Sequence, residues 1–313
     1  MSIAFVFPGQ GSQAVGMGRA LAEAFPAARA VFDEVDEALG EKLSTLIWEG
    51  PEDRLTLTEN AQPALMAVSM AAVRALEAEG VRLADAAAFV AGHSLGEYSA
   101  LAAAGAISLS DTARLLRARG RAMQVAVPVG EGAMAALLGL DYETALAVAQ
   151  EAAQGEVCQA ANDNAPGQVV VSGARAAVER ACEIARAKGA MKAMLLPVSA
   201  PFHCALMAPA ADVMREALAA TAIAAPAVPV VCNVLAAPIS EPDEIRRRLV
   251  EQVTGTVRWR ECVLWMAANG VTELKEIGAG RVLSGLTKRI DRAVAAAAIG
   301  TPEDVAAFAA SRG

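Results

Sequence analysis

The pentapeptide Gly92-His93-Ser94-Leu95-Gly96 constrains this chain more than any other stretch. An apolar run of strand length, Ala86–Ala91, leads into it, and a helix-forming run continuing through Ser99–Ala104 leads out. A serine between two glycines at such a junction reads as a nucleophile elbow, a strand-to-helix turn that lifts the hydroxyl into the open. The helix N-terminus behind it offers backbone N–H groups and a favourable dipole to developing negative charge. The competing reading is a glycine-rich loop whose serine merely caps the helix.

The rest of the chain fits an elbow set in a parallel sheet. Ile3–Phe7 reads as a buried strand ended by Pro8-Gly9. Helical patterns cover Gly16–Glu37, Pro63–Ala78 and Ser110–Gln124, the last with Ser110 or Asp111 as its cap. Further strands are expected at Val228–Cys232 and Thr272–Ile277. The texture changes at Val127–Gly132. Strand Met134–Leu140, helix Tyr142–Ala153, strand Val157–Ala161, the loop Asn162–Gly167, strand Gln168–Ser172, helix Ala174–Lys188 and strand Met191–Leu196 then follow. That order, β-α-β-β-α-β, is the ferredoxin-like unit. The expected fold is therefore α/β: a large α/β-hydrolase-like domain with a mainly parallel sheet (1–127 and 197–313), and an inserted ferredoxin-like subdomain (128–196).

Composition narrows the function. Hydrophobic residues make up 55% of 313 and charged residues 20%, enough for a large core and too apolar for disorder. The most apolar stretch, Pro63–Leu76, contains Arg74 and falls short of the ~18–20 apolar residues of a membrane span. The N-terminus lacks the basic segment of a signal peptide. Five cysteines without a C-x-x-C pair argue against a disulfide framework or a metal site and suit a reducing cytoplasm. A net charge of −8 argues against nucleic acid as partner.

A serine nucleophile needs a base, and the chain has two histidines. His93 is adjacent to Ser94, so its side chain should point away. His203, in Val198-Ser199-Ala200-Pro201-Phe202-His203, follows the inserted unit where the chain returns to the large sheet, and is the candidate base. Cys204 beside it reads as structural. Arg114, Arg117, Arg119 and Arg121 lie on one helix; Arg117 and Arg121 share a face, and Arg119 lies nearly opposite.

Five segments, in order from residue 3 to about residue 290, resemble the malonyl-CoA:acyl carrier protein transacylases of fatty-acid synthesis. They are Phe7–Gln13 (FPGQGSQ), Gly92–Leu101 (GHSLGEYSAL), Arg119–Gln124 (RGRAMQ), Asn162–Gln168 (NDNAPGQ) and Ser199–His203 (SAPFH). The resemblance implies catalysis by Ser94 and His203, an oxyanion hole from the backbone N–H groups of Gln10 and Leu95, and a malonate carboxylate held by Arg119. Two parallel hydrogen bonds from a planar guanidinium suit that task better than a lysine. Phe202 resembles the residue that narrows the pocket of malonyl-selective members. The resemblance supplies no catalytic acid. It assigns the histidine-orienting carbonyl to Arg258, although Gly255-Thr256 stands where Asn-Pro is expected.

The implied reaction is a ping-pong malonyl transfer from malonyl-CoA to the phosphopantetheine thiol of an acyl carrier protein, by a monomer with no metal or bound cofactor. An acidic carrier meeting an acidic enzyme requires a local basic patch, for which Lys188, Lys192, Lys288 and Arg289 are the candidates. Two rivals stay open: a serine hydrolase, which ordinarily has its histidine near the chain end, and a non-catalytic carrier-binding scaffold.

Overall fold

The computed structural model describes residues 2–198 and 200–312; Ser199 of the SAPFH segment lies outside the described residues. Among the described residues, ten strands form two sheets. Six belong to the first: β1 (Ser2–Phe7), β2 (Phe89–Gly92), β7 (Val230–Cys232), β8 (Ala237–Ile239), β9 (Val271–Ile277) and β10 (Ala295–Ile299). Their order is β10-β9-β1-β2-β7-β8, every pair parallel except β7–β8.

β1 shows why this sheet is central. Ile3, Phe5 and Phe7 point into one buried cluster, while Ala4 and Val6 point into another across the sheet. The strand alternates with period two yet is apolar on both faces, the pattern of a parallel strand covered by helices on each side.

The second sheet holds β3 (Gly132–Leu138), β4 (Cys158–Ala165), β5 (Gln168–Ala174) and β6 (Lys192–Leu195), all antiparallel in the order β4-β5-β3-β6. With the helices Tyr142–Ala153 and Arg175–Ala187 it forms the ferredoxin-like arrangement. Ala133, Ala135, Leu137, Val169 and Val171 pack on those two helices. The alternate residues Met134 and Val170 face the other way and join the core of the larger body. A space between the two sheets is thereby walled by this second face.

Three expectations are corrected. The helix Leu109–Val125 is capped by Ser108, whose hydroxyl accepts the Asp111 N–H at 3.0 Å, and not by Ser110 or Asp111. The helix expected from Pro63 begins at Thr58, with Pro63 inside it. The expected loop after Ala161 is largely strand: β4 continues to Ala165 through two irregularities in register. Asp163 explains this. It is buried and takes both of its oxygens to Arg260 Nε at 3.0 Å, and its N–H donates to Val257 O, so the polar run is held in the seam between the bodies.

Candidate active site

Pro8–Gln10, Ser94 and Asn233 follow the carboxyl ends of the adjacent strands β1, β2 and β7. Open α/β sheets place their sites at such ends. The turn at Ser94 is tight, with φ 54° and ψ −110°. A Cβ on Gly92 would lie 1.9 Å from the Gly96 backbone, and one on Gly96 would lie 2.2 Å from Phe7 O. Both glycines of the pentapeptide are thus dictated by contact. Gly9 is similar: its Cβ would meet His93 O at 2.7 Å.

Ser94 Oγ lies 2.8 Å from His203 Nε2. His203 Nδ1 is 2.9 Å from the carbonyl oxygen of Gln252, which can only accept. Nδ1 therefore carries the proton, and Nε2 is left to accept from the serine hydroxyl. Burial first, and the nearby Arg119 cation second, push the His203 pKa down to about 3, so the imidazole is neutral and free to take a proton.

The orienting carbonyl belongs to Gln252 and not to Arg258, which corrects the expectation. Arg258 sits one turn past the helix Pro242–Thr254 that carries Gln252, and its guanidinium pairs with Glu261 and donates to the carbonyls of Val234 and Leu235.

Arg119 is 1% exposed and lies opposite the exposed face of its helix. Its Nη2 donates to Ser94 Oγ at 3.1 Å and to Gln252 Oε1 at 3.0 Å, and its Nη1 donates to Gln62 Oε1 at 2.8 Å. Its Nε has no hydrogen-bond partner, and no carboxylate pairs with it, among the described residues. A buried cation bonded only to neutral groups, two amides and a hydroxyl, with the Tyr98 ring 5.6 Å away, is costly, and an incoming anion would relieve that cost. Arg117, by contrast, bonds Asn60 and Glu41, and Arg121 pairs with Glu59 at 2.9 Å.

These groups open on a cavity of about 390 Å³ between the two sheets. Gln10, Leu95, Phe202, Met134 and Val170 line it beside Ser94, His203 and Arg119. Leu95 is the first residue of its helix, so its N–H has no intrahelical acceptor. The Gln10 side chain reaches Thr58 Oγ1 at 3.4 Å. His93 turns away from Ser94, as its position requires, and its Nε2 meets Asn164 Oδ1 at 2.8 Å. Cys204 is buried, and its thiol donates to Pro201 O at 3.2 Å; burial raises its pKa.

Sequence reasoning missed Gln252, Asn233 and Gln62. The basic candidates lie outside the cavity lining. Lys188 pairs with Glu151 at 2.8 Å, and Arg289 donates to Gln168 Oε1 at 2.9 Å. Gln168 and Lys192 both register with Leu138, so Lys192 and Arg289 reach the same end of the second sheet, while Lys288 is in the last turn of the helix Val282–Ile290.

The model of the acyl transferase domain matches residues 4–289. The chain belongs to this acyl transferase family. It is an acyltransferase, similar over nearly its whole length to malonyl CoA-acyl carrier protein transacylases. That of Bacillus subtilis is 49% identical over 97% of this chain and 95% of its own, and that of Escherichia coli K12 is 48% identical over 97% of each. Among solved structures, the acyl-carrier-protein S-malonyltransferase of Bartonella henselae superposes on this acyltransferase with a TM-score of 0.98, at 57% identity and 99% coverage of both chains. A malonyl-transacylase solved in complex with its type II polyketide acyl-carrier protein matches with a TM-score of 0.96, at 44% identity over 99% of this chain and all of that one. Among the described residues no helix is long and apolar enough to cross a membrane.

Proposed function

We propose that this acyltransferase moves a malonyl group from malonyl-CoA to the phosphopantetheine thiol of an acyl carrier protein, in two half-reactions through malonyl-Ser94. The observation that carries the reading is the buried Arg119 guanidinium, without a carboxylate partner among the described residues, 3.1 Å from the Ser94 hydroxyl. A cation so placed selects an acyl group with a free carboxylate a short reach from its thioester carbon.

In the first half-reaction Ser94 Oγ attacks the thioester carbonyl as its proton passes to His203 Nε2. The tetrahedral oxyanion is assigned to the backbone N–H groups of Gln10 and Leu95, two residues that line the cavity beside Ser94. The C–S bond breaks, and His203 returns the proton to the departing coenzyme A thiolate. In the second half-reaction His203 takes the proton of the carrier thiol, the sulfur attacks malonyl-Ser94, and the seryl oxygen leaves with the proton from His203. Ser94, His203 and the backbone donors supply every group this chemistry needs, so the reading calls for no resident metal or cofactor. It takes the enzyme to be a cytoplasmic monomer that supplies extender units for fatty-acid or polyketide synthesis.

The test is separation of the halves. Enzyme loaded with malonyl-CoA and freed of coenzyme A is mixed with phosphopantetheinylated carrier. Transfer of malonyl to the carrier without added donor supports the reading, and a strict requirement for both substrates together would overturn it.

A further inference from the structure

Glu97 occupies the third position of the helix that Ser94 caps, from which a glutamate ordinarily reaches back to the capping residue's own N–H. It does not do so here. The Ser94 N–H donates to Asn233 Oδ1 at 2.8 Å, and the Glu97 carboxyl points elsewhere. Glu97 is fully buried; its Oε2 accepts from Asn233 N and from Gln252 Nε2, both at 2.9 Å, and its Oε1 has no hydrogen-bond partner among the described residues. Burial raises its pKa to about 7. An acid kept in such a place calls for a reason.

The two residues it holds are the two that clamp the nucleophile. Asn233 takes the Ser94 N–H and donates its Nδ2 to Gly92 O at 2.7 Å; Gln252 Nε2 donates to Ser94 O at 3.1 Å. Both polar groups of the Ser94 backbone are thus fixed from outside, at a φ of 54° that a residue with a Cβ rarely adopts. Gln252 does more. Its amide has an accepting and a donating end, and Arg119 can only donate. With Glu97 Oε2 taking the donating end, Gln252 Oε1 faces Arg119 Nη2 at 3.0 Å. Turned over, the amide would set its NH2 against the guanidinium. The backbone oxygen of the same residue orients His203.

We propose that Glu97 is a positioning residue for acyl transfer: through Asn233 and Gln252 its Oε2 holds Ser94 in its strained turn and presents Gln252 Oε1 to Arg119. The inference rests on the reading of Ser94 as the acyl acceptor given above. What matters is an accepting oxygen at that point, not the charge, because Oε2 accepts whether or not Oε1 carries a proton. Two conservative variants separate the possibilities. Glu97→Gln keeps a carbonyl oxygen at the same reach and has no charge. Glu97→Asp keeps the charge but is one methylene short of both donors.

The experiment measures the rate of malonyl-Ser94 formation from malonyl-CoA by quenched-flow and intact mass, for wild type and both variants, with thermal melts alongside. Displacement of a reacting group by about 1 Å can cost on the order of 100-fold, so the expected result is Glu97→Asp slower than Glu97→Gln by about tenfold or more. Glu97→Asp should also raise the malonyl-CoA concentration for half-maximal rate, as Arg119 loses its oriented partner. The reverse order, or two folded variants with equal rates, would overturn the proposal. Failure of wild type to form any adduct would overturn instead the reading on which it rests.

Discussion

Arg119 Nη2 stands 3.1 Å from Ser94 Oγ, so the group that would read the substrate's carboxylate and the group that would attack its thioester are direct neighbours. On the proposed reading, that distance would limit the acyl chain to a short diacid. A longer diacid would have to fold back, and an acyl group without a carboxylate would leave the guanidinium unmatched.

Arg119→Ala is accordingly expected to lower kcat/KM for malonyl-CoA by roughly 100- to 1,000-fold, the scale of losing one partner of a buried charge pair. Transfer from acetyl-CoA should rise relative to malonyl-CoA. Arg119→Lys should recover little, since an ammonium cannot bond Gln62, Gln252 and a carboxylate in one plane. Steady-state kinetics with both donors decide the matter, and an unchanged malonyl-to-acetyl ratio would contradict it.

His203 governs the acid side of the pH dependence. Its pKa, about 3 in the fold against 6.5 for the free side chain, leaves it neutral as pH falls through 6.5. The inactivation of Ser94 by phenylmethylsulfonyl fluoride should therefore hold its rate through that point and decline only well below it. The same shift makes stability fall with pH below 6.5, because there the unfolded chain binds a proton that the folded one does not. An inactivation midpoint at or above 6.5 would show that the imidazole is not desolvated as described.

Gly92→Ala and Gly96→Ala place a methyl 1.9 and 2.2 Å from fixed backbone atoms. Each should cost about 3 kcal/mol or more, or prevent folding, because backbone cannot yield as a side chain can. Thermal melts check this; a melting point within about 2 °C of wild type would contradict the geometry.

Phe202 is 8% exposed and lines the cavity beside His203. Phe202→Ser should raise methylmalonyl transfer relative to malonyl, by an amount within the ~1–3 kcal/mol that a methyl group's fit is worth. An unchanged ratio would remove Phe202 from the wall that meets the acyl group.

The parts of this site legible in the sequence are those whose residue type is forced. Gly92 and Gly96 admit no Cβ, and the chain holds two histidines, one of them adjacent to the serine. Helical phase set Arg119 apart from Arg117 and Arg121, and the family resemblance supplied its role. The illegible parts act through backbone atoms or through amides brought together by the fold. Any residue can offer a carbonyl, so nothing in the sequence marks Gln252, rather than Arg258, as the one on His203 Nδ1. Asn233 and Glu97 are 136 residues apart and meet only because β7 lies beside β2. The run Asn162-Asp163-Asn164 carries turn-forming residues and reads as a loop, yet Arg260 and His93 hold it as the end of a strand. The ferredoxin-like unit was legible from the order of its elements, two amphipathic helices each set between short apolar strands.

The central claim, that Ser94 carries the acyl group, is tested most directly by intact-mass measurement after incubation with malonyl-CoA, for wild type and Ser94→Ala. The account predicts one malonyl adduct on wild type, discharged when carrier is added, and none on Ser94→Ala. An adduct that survives in Ser94→Ala, or free malonate accumulating with no adduct on wild type, would contradict it.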